Sequence, residues 1–343
     1  MNYGIQNIHH GSRGNRILNH MGLRGYNILV TGGTGFAGSH LVDELVSSGN
    51  SVYTTAQRHN PFSYFITQKL QTKVTMADID IGDFNAVHDI ISRSHIDYIF
   101  HLAAQPLVDV AYLNPMRTLY TNILGTINVL ESARQLGTVK GIIVASSDKA
   151  YGKKIKKFSA YDEDDPLKGD HPYEVSKSST DLICFSYFKT YGLPVIITRF
   201  GNIYGEGDLN FSRIIPGAMK AILKNEILEI RSDGSYYRDY LYVKDVVRGY
   251  IMLAETIDRY AGEVFNFGSE ENISVLDLIE VIQKILRKEL NYKILNTAKN
   301  EIPYQSLNYK KVLKSVGWSP EYSLKSTLPS ILSWYEKYFR RTG

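Results

Sequence analysis

Short apolar runs alternate with longer amphipathic stretches from about residue 27 to residue 200. The runs at 27–31, 51–56, 73–76, 98–103, 141–146 and 194–199 have the length of strands. Between them, 37–48, 84–93, 116–136 and 173–191 carry apolar residues at helical spacing. Strand–helix alternation makes successive strands pair in parallel through right-handed crossovers, which predicts an α/β fold with a doubly wound parallel sheet of Rossmann type. After residue 200 the alternation becomes irregular and the segments shorten. The expected organisation is a flexible leader over 1–26, a nucleotide-binding domain over 27–200 to which some later segments return, and a smaller C-terminal substrate-binding lobe made mainly from 201–343. No internal repeat or low-complexity linker interrupts it. Ligands of such sheets sit beyond the carboxyl ends of the strands, so the residues just after each run are the ones to inspect.

Composition narrows the picture. A hydrophobic fraction of 43% with 22% charged residues over 343 positions suits a soluble protein with a substantial core. A net charge of +4, spread along the chain, favours an anionic small molecule and is too weak to argue nucleic-acid binding. The basic run at 153–157 reads as a solvated loop. The single cysteine, Cys184, excludes an internal disulfide and fits a reducing compartment, and its apolar neighbours make it a core thiol. No stretch approaches the roughly 20 apolar residues that span a bilayer. The first 26 residues lack the apolar segment of a secretory signal, though Arg13, Arg16 and Arg24 occur there without acids. A cytoplasmic location without membrane partners is expected.

The first run leads directly into Thr31-Gly32-Gly33-Thr34-Gly35-Phe36-Ala37-Gly38 and then a helix. Glycines at 32, 35 and 38 leave room for a tight turn, for a pyrophosphate against the backbone and for close helix–sheet packing, while the free amides of the helix start face negative charge. This predicts an NAD(P) site built on Gly32, Thr34, Gly35, Phe36, Ala37 and Gly38. NAD-specific sites place an acid after the second strand. Here the chain reads Thr55-Ala56-Gln57-Arg58-His59, so Arg58 either pairs with the 2′-phosphate of NADP or is a surface arginine. The expected cofactor is NADP or NAD, with the arginine favouring NADP. Asp78, after the third run, either hydrogen-bonds the adenine amino group or caps a helix.

Tyr173-Glu174-Val175-Ser176-Lys177 puts a phenol and an ammonium four residues apart on one helix face. A phenol titrates near pH 10, and a neighbouring ammonium together with a positive nicotinamide would lower that value. Such a pair arises easily by chance among 25 tyrosines. It gains meaning from Ser146-Ser147-Asp148-Lys149-Ala150-Tyr151-Gly152 at the end of the fifth run. The nine histidines show no paired metal-ligand spacing, and His101 reads as a core group. No metal is expected.

Taken in order, the glycine turn, His101-Leu102-Ala103-Ala104, the Ser147-Asp148-Lys149 strand end, Tyr173-x-x-x-Lys177 and Arg199-Phe200-Gly201-Asn202-Ile203-Tyr204-Gly205 resemble the extended short-chain dehydrogenase/reductases that act on nucleotide sugars. Within that family, lysine at 149 and the segments Gln105-Pro106-Leu107-Val108, Asp164-Asp165-Pro166-Leu167 and Arg213-Ile214-Ile215-Pro216 are most similar to the CDP-glucose 4,6-dehydratases, while Leu209 stands where those usually carry tryptophan. The resemblance adds Ile79, Leu102, Ala103 and Ala104 to the cofactor contacts, with Tyr173 and Lys177. It implies Gln105, Asn202, Arg213 and Arg238 as substrate contacts, against the alternatives of a turn asparagine and of helix-cap or surface arginines. It also implies a homodimer formed through the two long helices near 116–136 and 173–191.

The activity implied is conversion of an NDP-hexose to its 4-keto-6-deoxy form. Tyr173 would take the C4 hydroxyl proton, Ser147 align that oxygen, and Lys177 anchor the cofactor ribose and tune Tyr173. Lys149, with a depressed pKa, would remove the C5 proton, and Asp148, with a raised one, would protonate the departing C6 hydroxyl. The alternative for Asp148 and Lys149 is a surface ion pair. Rival functions are a nucleotide-sugar 4-epimerase, which needs no acid–base pair, and a non-catalytic NAD(P)-binding protein.

Overall fold

The computed structural model describes residues 22–56, 60–154, 159–297 and 301–342. The leader, apart from its last five residues, lies outside the described residues, as does Arg58.

The strands are β1 (Asn27–Thr31), β2 (Ser51–Thr55), β3 (Thr75–Ala77), β4 (Tyr98–His101), β5 (Gly141–Ala145), β6 (Val195–Phe200), β7 (Asn202–Tyr204), β8 (Leu228–Ile230), β9 (Tyr237–Tyr242), β10 (Val264–Phe267), β11 (Asn272–Ser274) and β12 (Tyr292–Ile294). Seven of them form one sheet in the order β10-β6-β5-β4-β1-β2-β3, with every pairing parallel. The order reverses on either side of β1, as a doubly wound sheet requires. Its central strands bury both faces. Ile28 and Val30 of β1 join the core layer that holds Phe100, Ile143 and Ile196, whereas Leu29 joins the layer of Ile99, Ile142, Val144 and Val195. Successive strand residues point to opposite faces, so two-sided burial explains why these runs are apolar throughout instead of alternating.

Helices α1 (Phe36–Ser47), α2 (Tyr64–Thr67), α3 (Phe84–Arg93), α4 (Val108–Leu113), α5 (Pro115–Leu119), α6 (Gly125–Leu136) and α7 (Pro172–Tyr191) belong to the first two-thirds of the chain. Cys184 on α7 is fully buried beside Leu193 and Val195, as its apolar setting suggests. The stretch 116–136, which reads as one helix, is instead α5, a π-helical turn at Tyr120–Leu124, and α6. The wider turn rotates Asn122 inward. Its amide accepts from the Gln105 amide N–H (2.7 Å) and donates to Ser176 Oγ (2.9 Å), a buried polar demand that a straight helix would leave unmet.

Beyond β6 the chain supplies α8 (Ile214–Lys224), α9 (Val243–Glu255), α10 (Ile257–Tyr260), α11 (Val275–Leu286), α12 (Lys310–Val316) and α13 (Leu324–Thr342). The three-stranded β11-β9-β7 sheet and the β12-β8 pair carry a separate core with Met219, Tyr240, Leu278, Ile282, Leu328 and Tyr335. Other late segments return to the main sheet. β10 adds its outer strand, α12 packs on β10, and Trp318 is fully buried among Phe267, Tyr250 and Val246. The Trp318 indole N–H donates to the Asp245 carbonyl at 3.0 Å.

Removing that indole should be costly, because both its volume and its hydrogen bond vanish from a closed core. Trp318→Ala is expected to lower the unfolding free energy by about 3–5 kcal/mol, read as a lower denaturation midpoint with an unchanged slope. A loss below about 1 kcal/mol would mean that the segment is not part of the main core.

Candidate active site

A cleft of about 1590 Å³ opens at the carboxyl ends of the parallel strands, between the sheet and the smaller lobe. One wall is the glycine turn. Gly32 has φ +71°, and a Cβ there would lie 2.9 Å from the backbone of Ala103. A Cβ on Gly38 would come within 2.3 Å of the Gly32 carbonyl oxygen. Only glycine allows β1, the turn and α1 to sit this close. Gly35 precedes α1 without a side-chain cap, so the first-turn amides face the cleft. Gly32, Thr34, Gly35, Phe36, Ala37 and Gly38 all line it, joined by Ile79, Leu102, Ala103 and Ala104. This is a cradle that side chains would fill, and it fits a dinucleotide pyrophosphate.

Asp78 is exposed and does not line the cleft, although Ile79 beside it does. Nor does it cap a helix: Asp83 caps α3, accepting from the Ala86 N–H at 3.2 Å. His101 is a core group, its ring held between Thr31 Oγ1 (2.8 Å) and Thr126 Oγ1 (3.1 Å) and pushed down to about 3 by burial and by Lys177. Among the described residues no cluster of histidine, cysteine and acids could hold a metal ion.

The chemistry-bearing side chains arrive from two elements. β5 ends at Ala145, and the chain then turns through a 3-10 segment, Asp148–Tyr151, whose N-cap is Ser147. Ser147 Oγ accepts from the Lys149 N–H (3.2 Å) and donates to Asp148 Oδ1 (2.9 Å). Helix α7 begins with Pro172 at its first turn, which brings Tyr173 to the opposite wall. Ser147, Asp148, Lys149, Tyr173 and Lys177 all line the cleft, and the Tyr173 phenol shares a hydrogen bond with Ser147.

Burial and the nearby Asp148 carboxylate push the Tyr173 phenol up to about 12, against the smaller opposite effects of Ser147 and Arg213. One helical turn further on, Lys177 donates its Nζ to the carbonyl of Ala145 at 2.8 Å, and burial brings it down to about 8. Helical spacing puts both residues on one face, but the ammonium satisfies itself on the strand end. Lys149 does follow expectation: burial is the largest effect and lowers its pKa, with Arg238 acting the same way and Asp148 opposing.

Asp148 is buried, which removes the reading of a surface ion pair. Its Oδ2 accepts from Gln305 Nε2 (2.7 Å), and Gln305 Oε1 accepts from Lys149 Nζ (2.7 Å). Gln305 comes from more than 150 residues downstream, in a segment without regular periodicity, so nothing local in the sequence points to it. The same segment supplies Glu301, which pairs with Arg238 (3.2 Å).

The substrate contacts implied by resemblance divide. Arg238 lines the cleft, and its side chain is only 11% exposed, so it is not a surface arginine. Arg213 also lines the cleft, from the position just before α8, and pairs with the buried Asp208 at 3.1 Å. Asn202, half-buried at the start of β7, lines it too. Gln105 does not. Its side-chain nitrogen donates to the Leu107 carbonyl (3.0 Å) and to Thr118 Oγ1 (2.9 Å), while its oxygen accepts from the Leu107 N–H (2.6 Å). The amide thus bridges its own loop and α5, with both N–H groups engaged.

With this geometry in place, comparison with known proteins is informative. The model of the NAD dependent epimerase/dehydratase family matches residues 28–268. The CDP-glucose 4,6-dehydratase of Salmonella typhimurium is 29% identical over 334 residues, covering 92% of each chain. The UDP-glucose 4-epimerase of Thermotoga maritima, solved with UDP-glucose, superposes with a TM-score of 0.81 at 32% identity, over 92% of this chain and 99% of that one. The dTDP-glucose 4,6-dehydratase of Streptomyces venezuelae, solved with NAD bound, superposes with a TM-score of 0.82 at 26% identity, over 91% and 97%. A match spanning both the glycine turn and the Tyr173 helix, together with the parallel sheet, settles the kinship: this chain belongs to the NAD dependent epimerase/dehydratase family.

Proposed function

We propose that the protein is an NDP-hexose 4,6-dehydratase whose substrate is CDP-glucose. The observation that carries this reading is the position of Asp148 and Lys149. An acid and a base stand beside the Ser147–Tyr173 pair, in the same cleft as the glycine cradle. Oxidation and reduction at C4 alone, which suffices for a 4-epimerase, has no use for them. Removing water across C5 and C6 needs both.

Arg238 and Arg213, which both line the cleft, would hold the diphosphate of the sugar nucleotide, each in exchange for or beside its present carboxylate partner. Ser147 aligns the C4 hydroxyl, and Tyr173 takes its proton. Bound at the glycine cradle, the dinucleotide supplies a hydride acceptor for C4, a hydride donor for C6, and a positive ring that offsets the upward push on Tyr173. Once C4 is a ketone the C5 proton is acidic. Lys149, whose pKa is lowered by burial, removes it, and Asp148 protonates the leaving C6 hydroxyl. Lysine at 149, shared by resemblance with the CDP-glucose enzymes, favours cytidine as the base.

Which dinucleotide binds turns on the end of β2, where Arg58 follows Ala56 by two positions and no acid is present. That composition supports NADP, whereas the similar dTDP-glucose enzyme is described with NAD. The partner we propose is a second copy of this chain. Leu113 (87% exposed), Met116 (79%) and Leu182 (61%) present apolar surface on α4, α5 and α7, helices that pack on one another. No described helix is long and apolar enough to cross a membrane.

Offered CDP-, UDP-, GDP- and dTDP-glucose separately, the protein should convert the CDP-sugar to a product absorbing in alkali. Inverted C4 configuration without loss of water would replace this reading with epimerisation, and no turnover on any sugar would favour a binding protein. Lys149→Ala should retain cofactor binding, lose exchange of the C5 proton with solvent, and lower kcat by about 10²–10⁴. Arg58→Ala should weaken NADP about tenfold while leaving NAD nearly unchanged, as measured by fluorescence titration. Leu182→Glu should convert dimer to monomer in light scattering; an unchanged mass would remove this face from the interface.

A further inference from the structure

We propose that Gln305 is a positioning residue: its buried amide stands between Asp148 and Lys149, prevents them from forming an ion pair, and aims the lysine at the substrate. The inference rests on the dehydratase reading of the same cleft. It concerns how an acid and a base adjacent in sequence can both remain usable.

Gln305 is 1% exposed. Its nitrogen donates to Asp148 Oδ2 and its oxygen accepts from Lys149 Nζ, each at 2.7 Å. The amide has one sensible orientation here, since reversing it would face the oxygen to a carboxylate and the N–H groups to an ammonium. The segment that carries it is anchored independently. The Gln305 N–H donates to the Tyr237 carbonyl (3.2 Å), the Gln305 carbonyl accepts from Asn272 Nδ2 (2.7 Å), and the Leu307 N–H donates to Asp239 Oδ2 (2.7 Å).

The charged groups acting on Lys149 are Asp148, Glu301 and Glu174, which favour the ammonium, and Arg238, which with burial opposes it. Each of the three carboxylates is engaged by another donor. Asp148 accepts from Ser147 and Gln305, Glu301 pairs with Arg238, and Glu174 accepts from the Asp170 N–H at 2.9 Å. Lys149 is left with the neutral oxygen of Gln305. A neutral amide oxygen accepts from both an amine and an ammonium and holds the ammonium far less tightly than a carboxylate does, so it orients the nitrogen at a small cost to its basic form. A carboxylate at that place would hold the proton.

The test uses the full-length protein with ¹³C-labelled lysine, its Lys149 resonance assigned by its loss in Lys149→Arg. The titration midpoint of Lys149 is then compared in wild type, Gln305→Glu and Gln305→Leu. Gln305→Glu should raise the midpoint by about one pH unit or more, and Gln305→Leu, which frees Asp148 to reach the lysine, should raise it less. The acidic limb of the kcat profile should move with the midpoint. At neutral pH, kcat should drop about tenfold in Gln305→Glu with KM for the sugar nucleotide nearly unchanged. An unmoved midpoint in folded Gln305→Leu overturns the proposal, and that variant carries the test alone should the glutamate fail to fold. If wild type converts no sugar nucleotide yet the midpoints shift as described, the dehydratase reading falls and the role of Gln305 stands. If product forms and the midpoints do not move, the reverse holds.

Discussion

The hydrogen bond from Lys177 to the carbonyl of Ala145, 2.8 Å long and buried, ties helix α7 to the end of β5. A lysine at that depth is unfavourable without a partner, and the last carbonyl of a strand is a partner that cannot move. Two further bonds set the same register, from Ser178 Oγ to the Ala150 carbonyl (2.8 Å) and from Asn122 Nδ2 to Ser176 Oγ (2.9 Å). The phenol lies one helical turn before this lysine, and the Ser147–Lys149 turn directly follows the strand. Their convergence is therefore inherited from these three contacts. A slip of α7 by a single turn, about 5.4 Å, would carry Tyr173 away from Ser147.

The cleft handles charge by neutralising it in pairs and by suppressing it where chemistry would occur. Arg238 stands with Glu301, and Arg213 with Asp208. The phenol of Tyr173 is pushed up and the amine of Lys149 down, so both are driven toward their neutral forms by the same cause, loss of water around them.

The sheet is readable from sequence because its strands are buried on both faces. Two-sided burial makes β1, β4, β5 and β6 largely apolar runs, and the intervening helices keep a 3.6-residue stripe. The glycine cradle is equally plain, since Gly32 and Gly38 answer a steric demand that no other residue meets. Four things escape. The π-helical turn at Tyr120–Leu124 satisfies Asn122 through partners far along the chain. β10 lies beyond residue 200, where the strand–helix alternation that marks the other strands has become irregular. Gln305 acts across a separation that no local pattern encodes, and Gln105, which looks like a substrate contact, is consumed by its own loop. Short motifs reveal chemistry that depends on neighbours in the chain, and conceal whatever depends on the fold bringing strangers together.

The late arrival of β10 bears on how the chain is born. During synthesis β6 emerges with β5 already at one side, but the strand that covers its other side, Val264–Phe267, is some 60 residues away. Until then β6 offers a row of unpaired backbone groups, an edge able to recruit a stray strand from another nascent chain. Trp318 and Gln305 follow later still. A chain made only that far holds the glycine cradle but leaves the β6 edge unsealed and the Asp148–Lys149 turn without Gln305, until the lobe between has been added.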